Sequence, residues 1–128
     1  RVAFPEIEFV DGQLMEQCDI TTRLSDDIEY YARTHFSRID RVGSVSAGTP
    51  GKALFVKVVS LKGNGRSMIV EGTLWDHGVV IGSFVTQDTF WQSASSCMAV
   101  AGVSRVLGKR IGNWLGAPTL NARLGPVK

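Results

Sequence analysis

Cysteine is scarce in this chain of 128 residues, occurring only as Cys18 and Cys97. Their separation excludes a CxxC redox motif and a zinc ribbon, and leaves two readings: one long-range disulfide, or two buried thiols packing as small hydrophobes. A bridge would close a loop of about 80 residues, stabilise the fold by several kcal/mol in the chain-entropy account, and imply an oxidising compartment. Histidine is equally rare. His35 and His77 have no Cys, His or carboxylate neighbours at metal-ligating spacing, and Asp76 beside His77 is turn chemistry, so neither a metal nor another cofactor is expected. A G-x-S-x-G elbow with a plausible base is missing, and no other catalytic constellation is present, so no catalytic residue is expected. No apolar run approaches the roughly 18 to 20 residues of a membrane-spanning helix. A net charge of +2 with a pI near 8.7 lacks the dense basic stripe of a nucleic-acid binder, and nucleic acid is not an expected partner.

What is present describes an ordinary domain. Hydrophobic residues make up 44% and charged residues 20%, enough for one core of two packed layers and too little length for a second domain. The expectation is a single α/β domain over 1–128, ordered over about 5–116, with a loose tail at 117–128 that carries two prolines. The chain begins at Arg1 rather than Met, as expected of a processed protein or a domain cut from a longer one.

The organising stretch is 68–91, read as two strands around an Asp76-His77-Gly78 turn. Ile69, Val70, Leu74 and Trp75 fill one arm; Val79, Val80, Ile81, Phe84, Val85, Phe90 and Trp91 fill the other. Upstream, Ile7 and Phe9 alternate with Glu6 and Glu8, predicting a first strand over 6–10. Ile20, Leu24, Ile28, Tyr31, Ala32, Phe36 and Ile39 recur at helical steps and predict an amphipathic helix over 22–40. Asp19, Thr21 and Thr22 are its candidate caps, and Asp26, Asp27 and Glu29 lie in its early turns, where the dipole favours carboxylates. A near-continuous apolar run predicts a central strand over 53–61, with Leu54, Val56, Val58 and Ser60 facing one way and Phe55, Lys57, Val59 and Leu61 the other. A short strand is expected near 42–45, and a turn at 62–66 completes a three-stranded meander with the hairpin. Val100, Val103, Leu107, Ile111 and Trp114 then predict a second helix over 95–115, stopped by Gly116 and Pro118. The fold class is therefore α+β: two helices on one face of a mixed, mainly antiparallel sheet of four to five strands, in β-α-β-β-β-α order.

Several residues invite a functional reading beside a plain one. Ser104, Gly108, Gly112 and Gly116 recur at four-residue steps along the second helix. Glycine inside a helix costs about 1 kcal/mol against alanine, so a close contact should compensate. That contact is either packing within the chain or a subunit interface through Ser104, Gly108 and Gly112. Trp75 and Trp91 bound the hairpin arms and are either core residues or indoles facing a partner, whereas Trp114 belongs to the core. Ser93, Ser95 and Ser96 are better helix caps than anion ligands. Asp26 and Asp27 are neighbours that point to different faces, and are expected to be solvated.

The helix over 24–39, the strand Ala53-Leu54-Phe55-Val56-Lys57-Val58 and the hairpin Leu74-Trp75-Asp76-His77-Gly78-Val79-Val80-Ile81-Gly82 carry a resemblance in pattern over residues 5–116. The chain resembles the small periplasmic α/β domains of Gram-negative envelope lipoproteins, a group including CsgG, PelC, LpoB and the N-terminal domain of TolB. The resemblance implies a periplasmic protein, attached to the outer membrane, if at all, through an N-terminal lipid-bearing Cys that this sequence does not contain. The leading expectation is thus a non-enzymatic envelope component that assembles with itself or docks a secretion or polysaccharide-export partner. The second is a small-ligand-binding domain or small enzyme with its pocket between the second helix and the sheet. Nucleic-acid binding through Arg105, Lys109 and Arg110 is the third.

Overall fold

The computed structural model describes residues 2–4, 8–9, 18–42, 44–62, 67–90 and 96–125. Its elements in chain order are β1 (Val2–Phe4), β2 (Glu8–Phe9), α1 (Ile20–Ala32), β3 (Ile39–Arg41), β4 (Lys52–Lys62), β5 (Ser67–Asp76), β6 (Val79–Thr89), α2 (Ser96–Trp114) and β7 (Ala122–Leu124). The predicted meander is the centre of the molecule: β4, β5 and β6 pair antiparallel over nearly their whole lengths. His77 (φ 50) and Gly78 (φ 82) both take positive φ, the geometry of a two-residue hairpin loop whose twist matches its strands. Parallel strands complete the sheet, giving the order β3-β1-β4-β5-β6-β7, with β2 following β1 along the same edge of β4. The expected α+β class and β-α-β-β-β-α order hold, with the short strands β3 and β7 at the two edges.

Both helices lie on one face. Leu54, Val56, Val58, Met68, Val70, Leu74 and Phe84 of the sheet form one buried cluster with Leu24, Ile28 and Ala32 of α1 and Val100, Val103, Leu107, Ile111 and Trp114 of α2. Phe84 meets Trp114 edge to face, with ring centroids 4.9 Å apart. Phe84 also lies over Gly72, its cross-strand partner, where an added Cβ would fall 2.4 Å from the ring. The aromatic therefore fills the space that the glycine leaves.

The helices run side by side in the same direction. Cys18, just before α1, is bonded to Cys97 in the first turn of α2, with Cα atoms 5.1 Å apart, so the disulfide reading prevails over free thiols. Beyond the bridge, Gly108 abuts Asp27 and Ile28, and Gly112 abuts Tyr31 and Ala32. Glycine at these positions removes the Cβ atoms that would hold the two backbones apart.

Several local expectations change. The first helix ends at Ala32, not 40: Arg33 and His35 close it by backbone bonds to Glu29 and Ala32, and Ile39 pairs with Val2 in the sheet. The apolar residues Phe36 and Ile39 keep a helical period by coincidence while packing at the edge of the core. The helix starts at Ile20, so Asp26, Asp27 and Glu29 lie past its first turn, and Asp19 makes no side-chain cap bond. A bulge between Val58 and Ser60 reverses the end of β4, so that Leu61, paired with Met68, joins the core and Ser60 does not. The predicted tail is held over 117–125: β7 pairs parallel with β6, and Thr86 Oγ1 donates to Leu124 O at 2.8 Å. The expected strand near 42–45 is replaced by β3. Residues 5–7, 10, 63–66 and 91–95, including Trp91, Ser93 and Ser95, lie outside the described residues.

Asp26 and Asp27 also part company. Asp26 is exposed and accepts from Arg41 Nη2 at 2.6 Å, a bond that Glu29 shares at 2.7 Å. Asp27 is half-buried against α2, and desolvation pushes its carboxyl above the usual range although Arg105 pulls it down. A carboxyl whose folded pKa is raised favours the folded state below its unfolded pKa, near 4, and loses that contribution as pH rises through the folded value. Asp27→Asn is therefore expected to match the parent's thermal midpoint near pH 4 and exceed it at pH 7, which melts at the two pH values will check.

Candidate functional site

With the helix side sealed, chemistry and contacts fall to the other face of the sheet. Alternation turns Phe55 and Lys57 of β4, Glu71, Thr73 and Trp75 of β5, and Ser83 and Val85 of β6 away from the helices. No second layer covers them among the described residues. Phe55, Glu71, Thr73, Ser83, Val85, Asn121 and Arg123 line a dish of about 580 Å³ on this face. Its β7 wall is fixed locally: Ser83 N donates to Thr119 O at 3.0 Å, and Asn121 N, in a left-handed residue, donates to Ser83 Oγ at 2.8 Å.

The charges of the dish follow from register. Lys57, Glu71, Val85 and Arg123 stand in one row across β4, β5, β6 and β7. Glu71 and Arg123 are both exposed, and neither forms an ion pair among the described residues. The arrangement is an apolar floor of Phe55 and Val85, hydroxyls at Thr73 and Ser83, and unpaired charges of both signs on the rim. An apolar floor with a polar, charged rim is a surface suited to docking.

The hairpin tip adjoins this face and is apolar where solvent would favour polarity. Val79 is 64% and Val80 43% exposed, with Trp75 half-buried across from Val80. Behind the tip a second cavity of about 480 Å³ brings together His35, Phe36, Ser37, Gly51, Lys52, Asp76 and His77. His77 Nδ1 is 2.6 Å from Asp76 Oδ1, and Lys52 Nζ lies 5.4 Å from the Phe36 ring centroid. Both histidines of the chain thus line one cavity, which no local spacing could reveal because the register Lys52 opposite Asp76 creates it. No group of three or more His, Cys, Asp or Glu able to hold a metal occurs among the described residues.

The structure separates the candidate residues. Ser104 is fully buried, and Gly108 and Gly112 face α1 of the same chain, so the small ridge is used within the chain and offers no surface there to a second subunit. Trp75 does stand on the open face. The pocket expected between the second helix and the sheet is replaced by packed core, where a Cβ on Gly72, Gly82 or Gly102 would collide with Phe84, Trp114 or Phe90. Arg110 is drawn from the basic trio: it donates to Gln87 O at 2.8 Å and lies against Gly125.

No family model matches the chain, and no curated protein sequence does. Solved structures do. A point variant of the PelC dodecamer from Paraburkholderia phytofirmans superposes with a TM-score of 0.58 at 12% identity, over 85% of this chain and 86% of that one. The fold resembles that of PelC. A second PelC dodecamer structure from the same organism gives 0.55 at 12% identity, over 85% and 84% of the two chains. Protein XCC0632 from Xanthomonas campestris, of family DUF330, gives 0.54 at 11% identity over 91% and 81%. At these identities the likeness to PelC is one of fold.

Proposed function

We propose that this chain is a non-enzymatic component of the Gram-negative envelope, exported to the periplasm, which self-assembles and serves an export machine. The observation that carries the reading is the asymmetry of the layers: one face of the sheet is sealed by helices, and the other, among the described residues, is an uncovered dish with an apolar floor and unpaired charge. Two findings support it from different sides. PelC, of similar fold, forms dodecamers, and most soluble oligomers are homo-oligomers of closed symmetry. The Cys18–Cys97 bridge fits an oxidising compartment such as the periplasm. Attachment to the outer membrane belongs in this reading to an N-terminal lipid anchor; no helix among the described residues is long and apolar enough to cross a bilayer.

Native mass spectrometry checks the assembly. The expected result is one closed homo-oligomer at protein concentrations above about 10 µM, the range in which a micromolar contact fills. A monomer throughout would overturn the reading.

A further inference from the structure

We propose that assembly is head to tail: the hairpin tip of one copy docks into the sheet-face dish of the next. The inference rests on the proposed self-assembly and names its two surfaces. The tip is a knob, with Val79 and Val80 exposed, Trp75 beside them, and the His77 side chain 83% exposed. The dish is a socket of about 580 Å³ with Phe55 and Val85 on its floor and Arg123 and Glu71 on its rim. Knob and socket match in chemistry. The valines suit the apolar floor, the Asp76 carboxylate suits Arg123, and a ring N–H of His77, whose Nδ1 is 2.6 Å from Asp76, suits the Glu71 carboxylate; among the described residues neither rim charge has an ion-pair partner.

The two surfaces do not overlap, and this selects the kind of assembly. Thr73 and Ser83 lie four and five residues from the His77-Gly78 loop, so the dish begins roughly 10 to 15 Å down the strands from the tip. A contact between different patches of identical subunits is heterologous, and it repeats until rotation closes a ring. Each copy then covers the dish of its neighbour, and in the closed ring none remains open.

The test uses two variants at exposed or half-exposed positions, both first checked for an unchanged thermal midpoint. The tip variant is Val79→Asp/Val80→Asp, and the dish variant is Val85→Glu/Arg123→Glu, with Arg123→Glu alone as a milder second dish variant should the double substitution unfold. Each alone is expected to weaken association about thirtyfold, the scale of losing a central interface anchor. The decisive sample is the mixture. The tip variant retains an intact dish and the dish variant an intact tip, so together they should form a one-to-one heterodimer that grows no further, read by light scattering and native mass spectrometry. Parent-like oligomers from either variant would overturn the head-to-tail contact and leave self-assembly standing. Disruption of both without heterodimers in the mixture would overturn it in favour of a two-fold contact. A monomeric parent would overturn both proposals together.

Discussion

Gly108→Ala is expected to lower stability by about 2 kcal/mol, against the sign of helix propensity, and Gly108→Leu to leave no folded domain. In an unencumbered helix interior the first change would stabilise by about 1 kcal/mol. Here the added Cβ would fall 2.4 Å from Asp27 Cβ, 2.9 Å from Asp27 C and 3.1 Å from Ile28 N. Two of these three are backbone atoms, which cannot rotate away as the end of a side chain can. Relief would require α1 to move off α2, but the Cys18–Cys97 bond pins their leading ends and the apolar stripe of α1 is fixed in the core. Overpacking of this kind costs about 1 to 3 kcal/mol and occasionally more, set against a total stability of about 5 to 15 kcal/mol. Gly112→Ala should behave alike, since its nearest atoms are Tyr31 Cβ and the Tyr31 and Ala32 backbone. Gly116→Ala is the control. Its neighbours are atoms of the exposed His35 ring, which can swing aside, so the change should stay within about half a kcal/mol. Urea unfolding of the three variants checks the ranking, and a stabilised Gly108→Ala would show that the helices are not in close contact.

The same glycines show what sequence reasoning reaches. Their four-residue spacing announces a close approach, yet the approaching surface is named only by the fold, because packing within the chain and a subunit contact ask for the same small side chains. Long periodic elements were legible: the second helix, read as 95–115, runs Ser96–Trp114, and the meander follows its alternating apolar residues. Short pieces were not. Strands of three residues such as β3 and β7 contain no period to read, and exist because a neighbouring strand supplies their hydrogen bonds. Ile39 illustrates the difficulty, since it extends the helical spacing of Leu24 and Ile28 while its backbone belongs to the sheet. The dish itself was not legible, because alternation along a strand assigns residues to faces without saying which face of the sheet stays uncovered. Its rim charges come from β5 and β7, elements about fifty residues apart whose adjacency depends on β7 pairing with β6. The two histidines at one cavity are likewise a product of register rather than of motif.

Replacing Cys18 and Cys97 with alanine is expected to lower stability by about 3 to 5 kcal/mol, or reduce the thermal midpoint by roughly 10 to 20 °C. The bridge spans a sequence separation of 79, for which chain entropy alone gives about 4.5 kcal/mol through the denatured ensemble. A reducing agent should lower the parent's melting temperature to that of the variant and leave the variant's own melt unmoved; equal melts with and without reductant would show that the bond contributes nothing. A second effect should separate from the first. Because the bond also holds α1 against the glycine ridge, its loss lets the helices part slightly, and the penalty of Gly108→Ala should shrink in the Cys-free background. A purely denatured-state effect would instead make the two changes additive within about 0.5 kcal/mol. The double-mutant cycle therefore measures how far the bridge clamps the folded helix pair as well as constraining the unfolded chain.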